Sequence, residues 1–279
     1  MGFLSRLRSQ RPAAEETAPR PEKNPVRRLL SYETAYLQCL GKRERQEDAF
    51  SFVNESDVTQ IKENGLLAVV ADGMGGMSGG QEASNLAVNT LCEDFRRMDR
   101  GDDLAQQLTD SVGRACALVH QRLDGGGGST LIACLLYRQR LFFASVGDSY
   151  LFLLRKGCLI RLNREHNVKH KLFMEAIRSG SVDPSVADGN KENAALTQFL
   201  GMPSLDDVDF LRKPLLLQKG DVLLLCSDGV GGVVDEKAIT DCMGIHHAPA
   251  VCAALDQAVR RANKKYQDNY TALVIRCDK

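Results

Sequence analysis

The 279-residue sequence lacks a net charge, a membrane-length apolar run, a paired-cysteine motif and a histidine set at metal-ligand spacing. Its 36 Lys and Arg balance 36 Asp and Glu, so no overall basicity exists to condense the chain onto nucleic-acid phosphates. No stretch approaches the roughly 18 apolar residues that cross a bilayer. The nine cysteines (39, 92, 116, 134, 158, 226, 242, 252 and 277) contain no CxxC pair and lie mostly inside apolar runs such as Leu131 to Tyr137. An odd count without a secretory signal predicts buried free thiols in a reducing, cytoplasmic compartment and argues against a thiolate zinc site. With no HExxH, and His246-His247 adjacent in a late polar stretch, imidazole-held zinc is disfavoured too.

What is present is 43% apolar residues, enough at this length for a core that needs no covalent staples. The charge is unevenly placed. Residues 1–30 carry seven basic side chains (Arg6, Arg8, Arg11, Arg20, Lys23, Arg27, Arg28) against Glu15, Glu16 and Glu22, and four of the eight prolines. This stretch has little apolar surface to offset ordering entropy, which predicts a disordered, basic, Pro-rich tail over 1–30 and a folded domain over 31–279. Arg6 stands where a myristoylation signal wants Ser or Thr, and prolines with glutamates spoil an amphipathic transit helix. The tail is +4 and the remainder, with 29 basic and 33 acidic residues, is −4.

Beyond residue 30, short β-rich runs bounded by Gly and Asp predict strands. They lie near Tyr36 to Leu40, Leu66 to Ala71, Leu131 to Tyr137, Leu141 to Val146, Tyr150 to Leu154, Val222 to Cys226 and Ala272 to Ile275. Apolar residues at spacings of 3 to 4 predict helices: Ala83 through Met98, Leu104 through Leu123, and Val251 through Val259. The break at Arg138-Gln139-Arg140 leaves no room for a crossover helix and suits an antiparallel hairpin. The class read from these patterns is α+β with antiparallel sheet. Gly125 to Gly128 reads as a flexible connector.

The chemistry lies in one word written three times, an apolar strand ending in Asp: Leu66 to Asp72-Gly73, Phe142 to Asp148-Ser149, and Val222 to Asp228-Gly229. Read singly, each is a turn. Glu47-Asp48 after the first strand and Asp268-Asn269 before the last add two more acidic words. Carboxylates gathered at one end of a core repel one another unless cations intervene. An all-oxygen set without a DxDxDG loop selects Mg²⁺ or Mn²⁺ over Zn²⁺ or Ca²⁺, and such ions serve phosphate-ester hydrolysis.

Arg43 to Asp48, Val70 to Gly76, Gly128-Ser129-Thr130, Val146 to Ser149, Cys226 to Gly229 and Asp268 to Thr271 stand in the order and rough spacing of the PP2C family of metal-dependent protein serine/threonine phosphatases. The sequence resembles that family over about residues 34 to 277, and its Asp-Gly-Met-Gly-Gly form looks like the bacterial branch. The resemblance implies a four-layer αββα sandwich, two antiparallel β-sheets flanked by helix pairs, with a metal centre at one end. Carried over by position, Asp48, Asp72, the Gly73 carbonyl, Asp228 and Asp268 hold two Mn²⁺ or Mg²⁺ ions, and Glu47 contacts their waters. Asp148, with Asp228, serves a third, weaker ion, and Arg43 binds the substrate phosphate. The implied activity is hydrolysis of phosphoserine or phosphothreonine in protein substrates, beside a cognate kinase, by a monomer.

Departures are Gln46 for Asn, Tyr150 for Arg and Phe199 for Ala. His166, in Glu165-His166, reads as a structural hydrogen-bonding residue, and Lys169 to Asn193 falls where the family carries its flap, with Ile177 to Gly180 at the end of the flap helix. Cys226 and Ser227 read as packing, since no CxxxxxR loop follows and no His partners the serine. The alternatives are a pseudophosphatase that binds phosphoproteins without turnover, and a scaffold whose Asp-Gly words are only turns.

Overall fold

A computed structural model describes residues 30–75, 79–181 and 183–278. Residues 1–29 of the tail predicted over 1–30, and Gly76 of the glycine-rich word, lie outside them.

The chain opens with β1 (Ser31–Cys39) and β2 (Asp48–Val53), makes a short helix α1 (Val58–Asn64) capped by Asp57, and returns as β3 (Leu66–Met74). Two long helices follow, α2 (Gly79–Arg97) and α3 (Leu104–Leu123), then β4 (Gly128–Ser129), β5 (Leu131–Tyr137), β6 (Arg140–Val146), β7 (Tyr150–Arg155) and β8 (Cys158–Arg161). Next come α4 (Val168–Arg178), a 3-10 turn at Pro184–Ala187, and the two-residue strands β9 (Asp209–Phe210) and β10 (Leu215–Leu216). The chain closes with β11 (Val222–Cys226), the one-turn α5 (Asp228–Gly231), α6 (Glu236–Met243), α7 (Ala248–Ala262) and β12 (Tyr270–Asp278).

The strands form two antiparallel sheets, β1-β12-β11-β7-β8 and β10-β6-β5-β3-β2, with β9 on β6 and β4 on β3. Leu66, Ala68 and Val70 face the other sheet and meet Leu223, Leu225, Leu273 and Ile275 between the layers. Their alternates Leu67, Val69 and Ala71 pack under α2 and α3 against Leu91, Phe95, Leu108 and Val112. On the opposite outer face, Leu224, Cys226, Ala272 and Val274 pack under α6 and α7 against Ile239, Val251 and Leu255. Both faces of each central strand are therefore covered, so Leu66 through Ala71 are all fully buried and read as an unbroken apolar run despite antiparallel pairing. The αββα sandwich implied by the resemblance is the observed architecture.

Tyr137 pairs with Arg140, so the predicted hairpin turns on two residues, Arg138 and Gln139, both left-handed (φ 49 and 64). That backbone matches the twist of the flanking strands. The glycine connector is not slack along its whole length. Gly128-Ser129 adds as β4 to Met74 and Gly73, and a Cβ on Gly127 would meet the Gly79 backbone at 2.6 Å. Close approach of two backbones, not flexibility, accounts for glycine there. Seven of the nine cysteines are buried, Cys39 is half-buried and Cys158 exposed, and all are free thiols.

Candidate active site

Strand register builds the acidic cluster. Asp48 opens β2 directly across from Asp72 in β3, a like-charge cross-strand pair that is unfavourable by itself. Asp148 sits in the turn between β6 and β7, Asp228 heads α5 where β11 ends, and Asp268 precedes β12. One sheet thus supplies Asp48 and Asp72, the turn that crosses from it to the other sheet supplies Asp148, and that second sheet supplies Asp228 and Asp268. Arg43, Glu47, Asp72, Gly73, Asp148, Asp228 and Asp268 line a common cleft of about 310 Å³. Asp48 lies behind that lining, 5% exposed, with Oδ1 buried and unpartnered.

Backbone and hydroxyl contacts hold the carboxylates in place. The Asp72 amide donates to Thr130 Oγ1 at 3.0 Å, and its carbonyl accepts from the Thr130 amide at 2.9 Å and Ser129 Oγ at 3.0 Å. Thr130 Oγ1 in turn meets Ser149 Oγ at 2.8 Å beside Asp148. The word Gly128-Ser129-Thr130 is therefore a bracket for Asp72. Ser227 Oγ donates to Asp48 Oδ2 at 2.8 Å and accepts from the Thr271 amide at 3.0 Å, which ties β11, β12 and β2 together. Gln46 Oε1 accepts from the Asp48 amide, so the departure from Asn keeps a side-chain acceptor. Asn269 Oδ1 accepts from the Glu47 amide while its Nδ2 donates to the carbonyls of Leu40 and Arg45. Gly73 cannot carry a side chain, since a Cβ would lie 2.2 Å from the Gly80 carbonyl oxygen and 2.6 Å from that of Glu47.

Electrostatics follow from the crowding. Burial, then Asp228 and Asp268, pushes Asp48 up to about 6 against the hold of the Ser227 hydroxyl. Asp148 is pushed up to about 7 by burial and then by Asp228 and Glu165, with Arg161 opposing. Burial and then Asp48 and Asp228 hold Asp72 well above the carboxylate range, and burial and then Asp268 raise Asp228. Four acids that hold protons so reluctantly released describe a place short of positive charge.

Arg43 lies in the cleft wall but pairs with Asp268, and both side chains are about half exposed. The expected phosphate ligand is thus neutralising a carboxylate; an exposed pair of this kind contributes little and is readily exchanged. Among the described residues, no group of three His, Cys, Asp or Glu side chains stands placed to hold a metal ion. The donors nevertheless fit a hard divalent cation: every ligand atom is oxygen, one buried carboxylate oxygen is orphaned, and the acids repel one another.

His166 is buried, its Nδ1 set against the Gly147 backbone, and burial lowers its pKa, as suits a structural group. Cys226 is fully buried and its thiol is pushed up to about 12, first by burial, which removes it as a nucleophile. Ser227, expected to be packing, is an orienting hydroxyl; its position next to Asp228 was the available signal. Tyr150 stacks under the Arg161 guanidinium at 4.0 Å and lies against Gly231, where a Cβ would come within 2.3 Å of the ring. It props the turn that carries Asp228. The expected flap segment forms α4, ended at Ser179-Gly180, and the 3-10 turn, and Leu196 just beyond it reaches the cleft.

A sequence profile described as protein phosphatase 2C matches residues 38–269. The serine/threonine phosphatase stp of Listeria monocytogenes is 29% identical over 230 residues, covering 79% of this chain and 88% of that protein. The serine/threonine phosphatase PstP/Ppp of Mycobacterium tuberculosis superposes with a TM-score of 0.71 at 26% identity, over 90% of this chain and all of that one. A structure of the catalytic domain of PstP in complex with two manganese ions superposes at 0.69, with 25% identity and the same coverage.

Proposed function

The chain belongs to the protein phosphatase 2C family and is a metal-dependent protein serine/threonine phosphatase, and from that premise we propose how its own residues divide the work. Asp48, Asp72, the Gly73 carbonyl, Asp228 and Asp268 hold two Mn²⁺ or Mg²⁺ ions, Glu47 contacts their waters, and Asp148 with Asp228 serves a third, weaker site. The observation that carries this reading is that five aspartates, delivered from both sheets to one end of the sandwich, include four with raised pKa values and one orphaned oxygen.

A divalent pair in such a site lowers the pKa of water to supply the nucleophile and screens the phosphate oxygens. The protein does the positioning. Ser227 fixes the Asp48 carboxylate, Ser129 and Thr130 fix the Asp72 backbone, and Asn269 fixes Glu47. Arg43 exchanges Asp268 for the substrate phosphate, which its fork of donors matches in two-point contact. No covalent enzyme intermediate is involved, in keeping with a buried Cys226 and a Ser227 already engaged in two hydrogen bonds. Residues 31–279 constitute the catalytic domain, acting as a monomer on phosphoproteins made by a cognate kinase, in the cytoplasm, where nine free thiols are stable.

Hydrolysis of p-nitrophenyl phosphate with Mn²⁺, Mg²⁺ or EDTA tests the assignment in wild type, Asp72→Asn and Asp228→Asn. Metal-dependent turnover in wild type, lost by at least about 100-fold in both variants, is expected; turnover equal in all three overturns it. A phosphopeptide panel then checks serine and threonine against tyrosine, and size-exclusion chromatography with light scattering checks the monomer.

A further inference from the structure

Beside the carboxylate cleft lies a second cavity of about 620 Å³, and Met74 and Gly75 belong to the walls of both. Its other side is built by Phe199, Met202 and Pro203, and its floor by the run Gly125 to Gly128. Asp124 is the one carboxylate on this lining among the described residues, and His120, also on it, turns its Nδ1 to the Gly201 carbonyl at 3.0 Å. The wall is keyed to the catalytic strands rather than hung on a free loop. Leu200 and Ser129 exchange backbone hydrogen bonds at 2.8 and 3.0 Å, and Ser129 sits in register with Gly73. The Phe199 ring lies so close to Gly128 that a Cβ there would come within 2.7 Å of it. Aromatic and thioether groups on a bare backbone floor make a site for an apolar guest.

We propose that this cavity receives an apolar side chain of the phosphoprotein substrate, within two residues of the phosphorylated one, and disfavours an acidic side chain there. The inference rests on the phosphatase reading above and adds what that reading leaves open, the sequence context of the target. Continuity of the two walls sets the occupant: a chain held by its phosphate in the cleft has neighbouring side chains within about 7 Å, the repeat of an extended strand. A Gly, with nothing to bury, forfeits the contact with Phe199 and Met202. An Asp or Glu places its charge in an apolar cavity facing Asp124, where both desolvation and like charge oppose it.

The test is kcat/KM on phosphoserine and phosphothreonine peptides in which each position from two before to two after the phosphorylated residue is Leu, Phe, Gly or Asp. In wild type, one of these positions is expected to prefer Leu or Phe over Gly by about 10-fold or more, and Asp is the poorest residue there. Phe199→Ala shrinks the Leu-to-Gly ratio toward one. Asp124→Asn keeps a residue tolerant of the left-handed backbone at that position (φ 44) and raises the Asp-to-Gly ratio, so the test survives if the Phe199 variant does not fold. Wild-type ratios near one at all four positions, or ratios unchanged in both variants, overturn the proposal while turnover of p-nitrophenyl phosphate upholds the phosphatase reading. No turnover of either substrate class overturns both.

Discussion

Ser227 shows how one hydroxyl decides the state of a carboxylate. It is fully buried, donates to Asp48 and accepts from the Thr271 amide, so Ser227→Ala removes the donor that fixes Asp48 Oδ2. Outer contacts of this kind typically contribute 10–100-fold in metal affinity. Ser227→Ala is therefore expected to weaken Mn²⁺ binding by about 10-fold or more in calorimetric titration, with the far-ultraviolet circular dichroism unchanged. Arg43 makes the complementary case. Because its Asp268 partnership is half exposed, Arg43→Lys keeps the charge but loses the fork, and is expected to raise KM for phosphopeptides about 10-fold with a smaller change in kcat. The aspartates themselves were legible in the sequence because each ends an apolar strand with Gly or Ser after it. The hydroxyl and amide groups that aim them were not, since Ser227 reaches Asp48 across 179 residues of chain.

At the scale of elements, two close approaches carry the geometry. β4 adds only two residues to β3, yet it places Thr130 against Asp72 and Phe199 beside Met74. It lies so near the start of α2 that a Cβ on Gly127 would overlap the Gly79 carbonyl group. Gly127→Ala is expected to destabilise the protein by about 1–3 kcal/mol in urea unfolding, the usual cost of overpacking, and to lower phosphatase activity with it. The far end of the sandwich depends on a different device. Arg155 on β7 grips the buried Asp221 just before β11, and the Asp221 carboxylate also accepts from the Gln218 amide. Arg155→Leu strands that carboxylate and is expected to cost about 3 kcal/mol, measured the same way. Strands such as β5 and β11 are readable as unbroken apolar runs of five to seven residues, and the helices α2, α3 and α7 from their period, because each has enough residues to show it. β9, β10 and β4 have two residues each, too few for any period, and exist only because a neighbouring strand offers hydrogen bonds.

For the whole molecule, the acidic end couples stability to pH and cations. Asp48, Asp72, Asp148 and Asp228 all have pKa values raised above those of the unfolded chain, by burial first and by one another next. Between about pH 4 and pH 7 the folded cluster keeps protons that the unfolded chain has released, so the cluster's contribution to stability falls as pH rises through that window. Divalent cations compete for the same oxygens and are favoured once the protons are gone. The rise in melting temperature on adding Mn²⁺ is therefore expected to be larger at about pH 8 than at about pH 5 by scanning fluorimetry with an extrinsic dye. An equal rise at both values would contradict the cluster as the binding site.

The order of the chain by itself determined the α+β class, the long strands and helices, and the acidic words, because each is a local pattern of apolar period and turn chemistry. Resemblance over six such words supplied the family. Only the tertiary structure decided that Arg43 faces Asp268, that Ser227 orients Asp48, that Gly127 and Gly128 are packed against Gly79 and Phe199 instead of being part of a tether, and that a second cavity shares its wall with the cleft. Each of these is a contact between segments distant in sequence, set by strand register and by how closely two backbones approach, and neither quantity is written in any single stretch of residues.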